Sequence, residues 1–187
     1  MKYYKENYYH IYNRGIDGKS IFFNRENYVY FIRLLKRYSK RYDISILAYC
    51  LIPNHYHLLV YQNSDISISN FIQSLNNAFV QGINRQLKRK GTLFEGRAKS
   101  KHINKEEYLM HLCRYIHLNP VKHNLVSNGK DWEFSNYLVC LKRDIDNITE
   151  LGFIEDLVGS TKNYFDFVNE HSTAIVEKRA IKDYALE

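Results

Sequence analysis

Cysteine and proline are scarce in this 187-residue chain, and it contains no long hydrophobic run. The three cysteines (Cys50, Cys113 and Cys140) are odd in number and widely spaced, which disfavours a disulfide framework or a paired-cysteine zinc site. We expect them to be small buried residues. Charges or amides interrupt every apolar stretch, which disfavours a membrane-spanning segment. The first six residues lack the apolar segment of a secretory signal, so we expect a cytoplasmic protein without a membrane partner.

Positive charge and aromatic rings are plentiful. Lys and Arg outnumber Asp and Glu by 27 to 20, for a formal net charge of +7, and there are 17 Tyr and 10 Phe. A basic surface attracts phosphate backbones, and exposed rings stack on unpaired bases. The same composition also suits an aromatic core with a well-solvated surface. Composition leaves both interpretations open.

Hydrophobic periodicity predicts an α+β fold in one main domain. The spacing predicts strands and helices in the order strand, helix, strand, strand, helix, strand, helix. This order is the ferredoxin-like split βαβ arrangement, an antiparallel sheet with two helices on one face. The last helix is an addition that is free to approach the other face, and we expect Pro120 to end it. The predicted ranges are 8–13, 25–41, 45–51, 55–61, 67–88, 99–103 and 105–118, followed by helices near 149–158 and 163–170.

The segment Pro53-Asn54-His55-Tyr56-His57 carries the first candidate site. In a strand, side chains alternate between faces, so His55 and His57 project to the same side. Two imidazoles held this way can bind one cation with little rearrangement. The alternative is one satisfied core histidine and one exposed histidine. Their place on a predicted central strand makes the two interpretations about equal.

The last predicted helix carries the second candidate site. Tyr115 and Asn119 are four residues apart and share a helix face. A tyrosine hydroxyl can attack a phosphodiester and form a covalent intermediate, and an amide oxygen can complete a metal shell. His111 competes with Asn119 for that role, whereas His117 falls on the opposite face and is expected to be structural. The alternatives are a packing tyrosine and an asparagine that caps the helix end.

The basic loop from residue 88 to residue 99 is the third feature. Its glycines allow close approach of a ligand, Arg97 and Lys99 suit phosphate, and Phe94 could stack on a base. The alternative is a solvated connection with a buried Phe94. Arg14, before Gly15, has the same two interpretations.

Taken in order, these segments resemble the single-tyrosine HUH transposases, in particular the branch called REP-associated tyrosine transposases. The resemblance spans residues 8–141. We take residues 1–141 as the catalytic domain, with 142–187 as a dependent helical C-terminal extension. No motif of the family is recognisable in the extension. The segments that carry the resemblance are Tyr12-Asn13-Arg14-Gly15, the stretch from Ala48 to Val60, Phe94-Glu95-Gly96-Arg97, Arg114-Tyr115-Ile116-His117-Leu118-Asn119-Pro120 and Trp132-Glu133-Phe134-Ser135-Asn136-Tyr137.

The resemblance implies a metal-dependent strand transferase acting on single-stranded DNA beside a hairpin. His55, His57 and Asn119 would hold Mg²⁺ or Mn²⁺. Tyr115 would attack the phosphate, leaving a 5′-phosphotyrosine link and a free 3′-hydroxyl. Arg14, Arg97 and Lys99 would contact the DNA backbone. The family includes monomers and homodimers, and the sequence does not choose between them.

Two rival functions are also compatible with this sequence. A non-catalytic module would present Tyr and Phe from the sheet to single-stranded bases. A metal-dependent hydrolase would use His55 and His57 with water as the nucleophile. Only the transferase requires the Tyr115 hydroxyl.

Overall fold

A computed structural model describes residues 2–105, 107–142, 148–150 and 152–170. Its centre is a four-stranded antiparallel sheet with the strand order β2-β3-β1-β4. This order confirms the predicted ferredoxin-like arrangement. The strands are β1 (Tyr8–Arg14), β2 (Ile44–Ile52), β3 (His55–Gln62) and β4 (Lys99–Ile103).

Two helices cover one face of the sheet, α1 (Arg25–Tyr42) and α2 (Ile68–Gln86). The side chain of Asn24 accepts a hydrogen bond from the backbone N–H of Asn27 and caps α1, while Ser67 caps α2 in the same way. The apolar stripes of both helices pack on alternate strand residues, including Ile11 and Tyr56. This core holds β1 and β3 side by side at the centre of the sheet.

The opposite face is covered in part by α3 (Glu107–Lys122), as predicted for the added helix. Leu112, Cys113 and Ile116 pack with Cys50 and Leu59 in a second core. All three cysteines are free and buried, as expected. Shorter helices complete this layer: α4 (Tyr137–Lys142), α5 (Gly152–Val158) and α6 (Thr161–Asn169).

The prediction that Pro120 ends α3 is wrong, because the helix continues to Lys122 with Pro120 inside it. Proline removes the one backbone donor that would bond to the carbonyl of Ile116, but only in the last turn. Later donors keep that turn closed: the N–H of His123 bonds to Asn119, and that of Leu125 to Pro120. Asn119 is therefore a helical residue rather than a cap.

The segment after α3 covers the outer edge of β2. The backbone N–H of Leu51 donates to the carbonyl of Phe134, and the indole N–H of Trp132 donates to the carbonyl of Leu51, 2.8 Å away. The amide oxygen of Asn136 accepts from the N–H of Tyr49 at 2.7 Å. An edge strand with unpaired backbone groups is thereby closed.

The extension contains the two helices that the sequence predicts. Tyr164 and Val168 of α6 are buried in the second core against α3. The boundary between 141 and 142 stays a prediction, and residues 143–147, 151 and 171–187 lie outside the described ranges. In the described part of the chain no helix combines the length and apolar character needed to cross a bilayer.

Candidate active site

The two histidines of β3 point away from α1 and α2, onto the face that α3 partly covers. The register pairs Tyr12 with His57 and Arg14 with His55, so β1 adds His10 and Tyr12 to the same face. We call this surface, formed by His10, Tyr12, His55 and His57, the histidine face. Because β1 and β3 are the central strands, its side chains are held by packing on both sides.

His57 is fully buried, and its Nε2 has no hydrogen-bond partner. Its Nδ1 lies 2.9 Å from Nε2 of His10, which is also fully buried. Burial, with the neighbouring His10 as a smaller cause, holds the pKa of His57 well below its ordinary value. A neutral imidazole with one nitrogen hydrogen-bonded and the other directed into the site has the form of a metal ligand.

His55 contacts two amide oxygens. Its Nδ1 lies 2.8 Å from Oδ1 of Asn54, and its Nε2 lies 3.0 Å from Oδ1 of Asn119. Burial lowers the pKa of His55 to about 4, so at neutral pH the ring has one N–H and can donate to only one oxygen. If Nδ1–H of His55 donates to Asn54, Nε2 of His55 has no proton and its lone pair faces Oδ1 of Asn119. Because neither of these two atoms carries a proton for the other, both are free to bind one cation.

Tyr115 lies beside these ligand candidates. Its ring packs edge-on against His57, with centroids 5.4 Å apart, and against His10 at 6.3 Å. The ring is 8% exposed, and the ammonium of Lys122 lies 5.4 Å from its centroid. Asn119 follows one turn later on the same helix. The structure therefore brings together the tyrosine hydroxyl group expected to act as the nucleophile, the imidazoles of His55 and His57, and the amide oxygen of Asn119.

These residues fit a divalent cation. Two ligands of octahedral Mg²⁺ in adjacent positions, each at about 2.1 Å, lie about 3.0 Å apart; His55 Nε2 and Asn119 Oδ1 have this separation. In the described part of the chain, no three His, Cys, Asp or Glu residues cluster as ligands. The amide oxygen of Asn119, 3.0 Å from Nε2 of His55, is the candidate for a third donor. His111, the rival for that role, instead packs on Phe167 with ring centroids 5.4 Å apart.

His117 is structural, as its predicted helix face requires. Its Nε2 donates to Oδ1 of Asn136 at 2.9 Å, and its Nδ1 accepts from the hydroxyl of Tyr164 at 2.6 Å. These two bonds satisfy a neutral imidazole completely. They also join α3 to α6 and to residues 132–136, which we call the β2 edge segment because they lie along the outer edge of β2.

The basic residues lie on two sides of the site. Arg14 is exposed at the end of β1, close enough to His55 and His123 to lower their pKa values as a secondary cause. Arg97 and Lys99 are exposed along β4 and the loop before it. Phe94 corrects our stacking expectation: the side chain is 3% exposed, and its ring packs against Tyr56 and Phe79 in the core.

Sequence reasoning missed four residues of this site. Nε2 of His10 lies within hydrogen-bond distance of Nδ1 of His57, and Oδ1 of Asn54 lies within hydrogen-bond distance of Nδ1 of His55. His123 lies with its ring centroid 4.9 Å from that of His55, and Lys122 covers Tyr115. His10 and Tyr12 are two residues apart on β1, so their side chains lie on the same face of the sheet. Only the pairing of β1 with β3 shows that His10 faces His57.

The sequence profile of the family described as Transposase IS200 like matches residues 3–119. A curated protein of Haemophilus influenzae named as a REP-associated tyrosine transposase is 28% identical over 120 residues, covering 59% of this chain and 68% of that protein. A solved structure described as the REP-associated tyrosine transposase bound to a REP hairpin matches with a TM-score of 0.67 and 19% identity. That match covers 76% of this chain and 84% of the other chain.

Proposed function

The chain belongs to the IS200-like transposase family, and on that premise we propose that it cuts and rejoins single-stranded DNA through a covalent bond to Tyr115. The observation that carries the proposal is the contact of the Tyr115 ring with His57, whose buried Nε2 has no hydrogen-bond partner. A nucleophile beside a metal-binding group is what phosphoryl transfer to a side chain needs. A packing tyrosine would not require such a neighbour.

In the proposed cleavage step, the Tyr115 oxygen attacks phosphorus and gives up its proton. The bond from phosphorus to the 3′ oxygen breaks, and that oxygen takes a proton and leaves as a free hydroxyl. The 5′ phosphate stays on Tyr115. The ammonium of Lys122 lies over the Tyr115 ring, 5.4 Å from its centroid, and adds positive charge beside the nucleophile. His55, His57 and Asn119 would hold Mg²⁺ or Mn²⁺, which polarises the scissile phosphate.

Rejoining reverses the same step. A 3′-hydroxyl of another strand attacks the phosphotyrosine, and the tyrosine oxygen leaves and recovers its proton. The number of phosphoester bonds is unchanged, so no ATP is required. His10 and Asn54 keep the imidazoles of His57 and His55 in one orientation through both steps.

We propose a DNA hairpin with flanking single strand as the substrate. The solved relative is described as bound to a REP hairpin, and the formal net charge of this chain is +7. Arg14 at the rim of the histidine face, and Arg97 and Lys99 along β4, are the candidate phosphate contacts.

The test is a search for a covalent adduct. The full-length protein is incubated with Mn²⁺ and 3′-end-labelled DNA that carries a hairpin and single-stranded flanks, then analysed under denaturing conditions. We expect a labelled protein–DNA band in wild type. It should be lost in Tyr115→Phe, which keeps the ring and its packing, and with a chelator. Tyr4→Phe, which changes an exposed tyrosine, is the matched control and should keep the band.

The rival functions give different results in the same assay. A hydrolase using water would cleave DNA without an adduct and would still cleave as Tyr115→Phe. A binding module would shift the DNA in a native gel without cleavage and without need of metal. Either pattern in wild type rejects the proposed transferase.

A further inference from the structure

A cleft of about 1130 Å³ lies between α2 and the β4 edge of the sheet. Its volume exceeds the roughly 300–1,000 Å³ of pockets that enclose one small molecule. The charged side chains on its walls are all of one sign. Arg97, Lys99 and Lys101 supply three cations, and among the described residues that line it none is Asp or Glu. This charge pattern suits an extended polyanion.

The α2 wall of the cleft is a row of side-chain amides. Gln73, Asn76, Asn77 and Gln81 follow one another at spacings of three, one and four residues, which places them on one helix face. Oδ1 of Asn76 accepts from the hydroxyl of buried Tyr56 at 2.9 Å, which orients its NH₂ group. Primary amides offer a donor and an acceptor together, the combination that pairs with base edges.

The cleft is continuous with the histidine face. Tyr12 lines the cleft, and its ring centroid lies 6.0 Å from that of His57. Lys99 is the register partner of Tyr12 on β4, and the ammonium of Lys101 lies 5.9 Å from the centroid of the Tyr12 ring. A strand with its reacting phosphate beside Tyr115 can therefore pass Tyr12 and cross the β4 edge into the cleft.

We propose that this cleft binds the unpaired DNA strand next to the cut, with phosphates on the β4 lysines and base edges on the α2 amides. The proposal rests on the proposed function for the identity of the ligand. The Watson–Crick edges of the bases are free to bond to these amides only in an unpaired strand, so a duplex is not an equivalent ligand. The row of amides is thereby a sequence-reading surface, separate from the residues that bind metal.

Binding is tested in the full-length Tyr115→Phe protein with EDTA, so that neither cleavage nor metal contributes. The probe is a fluorescein-labelled DNA of mixed sequence without secondary structure, and the readout is fluorescence anisotropy. We expect the triple variant Gln73→Ala, Asn77→Ala, Gln81→Ala to raise Kd by about tenfold or more, because it removes three side-chain amides that would bond to base edges. Asn70→Ala, an exposed asparagine on α2 outside the cleft, should stay within about twofold.

The salt dependence separates phosphate contacts from base contacts. Lys99→Ala and Lys101→Ala should each reduce the slope of log Kd against log salt by about 0.7, the value for one phosphate contact on a single strand. The amide variants should weaken binding without changing this slope. Lys40→Ala, an exposed lysine on α1, should leave both the affinity and the slope unchanged.

Three results would overturn the proposed role of the cleft. They are an unchanged Kd in the triple variant, an equal rise in the Kd for single-stranded and duplex DNA, and a rise in Kd as large in Asn70→Ala as in the triple variant. Asn77→Asp, which keeps the side-chain shape and adds a negative charge, must also weaken binding. The result is independent of the adduct assay. Wild type that forms the adduct while the cleft variants bind normally rejects only the cleft. Loss of binding in the cleft variants, with no adduct in wild type, supports the cleft and rejects the transferase.

Discussion

His10 and His57 form a buried pair in which the proton position matters. If Nε2 of His57 binds a cation, its Nδ1 must carry the proton and donate to Nε2 of His10, 2.9 Å away. His10 then acts as an acceptor that sets the tautomer and the ring orientation of His57. Partners of this kind commonly contribute tenfold to a hundredfold to metal affinity. We therefore assign His10 as a positioning residue.

Replacing His10 should weaken metal binding. We expect His10→Ala to raise the Kd for Mn²⁺ about tenfold to a hundredfold, because His57 loses the acceptor for Nδ1–H. His10→Gln should recover part of the affinity, since its amide oxygen can accept the same bond. The measurement is the free Mn²⁺ signal in electron paramagnetic resonance during titration of the protein.

Three further variants complete this titration. Asn119→Ala should weaken Mn²⁺ binding at least tenfold, whereas His111→Ala should stay within about twofold. His102→Ala, on the helix-packed side of β4 and hydrogen-bonded to Asn7, is the matched control for His10. If His111→Ala has the larger effect, the third ligand is His111 and the assignment of Asn119 fails.

At the scale of elements, α3 is the helix on which the site depends. One side places Tyr115 and Asn119 on the histidine face. The other side places His117 between Asn136 and Tyr164. Contacts of α6 and the β2 edge segment with α3 thus hold the helix that carries the nucleophile. A helix buried on several sides depends on such polar partners because unsatisfied buried groups are costly.

Tyr164→Phe should loosen this arrangement. The change removes the hydroxyl that donates to Nδ1 of His117 and leaves a buried acceptor without a partner. We expect the free energy of unfolding to fall by about 1–2 kcal/mol, seen as a lower urea midpoint with an unchanged slope. Tyr4→Phe, at a tyrosine that is 51% exposed, should leave the midpoint unchanged. Equal midpoints for both variants would contradict a stabilising role of the bond.

At the scale of the whole molecule, several histidines are buried in the neutral form. Burial lowers the pKa of His55 and of His117 from 6.5 to about 4, and it also holds the pKa of His57 well below its ordinary value. In the unfolded chain these rings take up protons near pH 6.5, but the folded protein resists protonation until about pH 4. Acid therefore favours the unfolded state over this interval.

The stability of the metal-free protein should consequently fall as the pH drops from 6.5 to 4. His117 alone is expected to contribute a loss of about 3 kcal/mol, since each pKa unit corresponds to about 1.4 kcal/mol. The measurement is urea unfolding in EDTA at a series of pH values. His117→Gln should be less stable than wild type at pH 7. Its free energy of unfolding should fall less steeply with decreasing pH, because about one proton fewer is taken up on unfolding. An equal slope in both proteins would contradict a buried neutral His117.

Local sequence patterns were enough to predict the order of the elements and the faces of most of them. Alternation in β3 placed His55 and His57 together, and helical spacing placed Tyr115 with Asn119. Such local periodicities depend only on backbone geometry, so they survive without knowledge of the fold. The end of α3 was not predicted, because packing and later hydrogen bonds outweighed the local preference of Pro120.

The meeting of distant segments at the histidine face depends on strand pairing and packing rather than on local sequence. His10 lies 47 residues before His57, and their contact follows from the pairing of β1 with β3, which no local pattern discloses. The core position of Phe94 was likewise decided by the aromatic packing around it. The cleft between α2 and β4 exists for the same reason: its amides and its lysines come from separate elements that the sheet brings together.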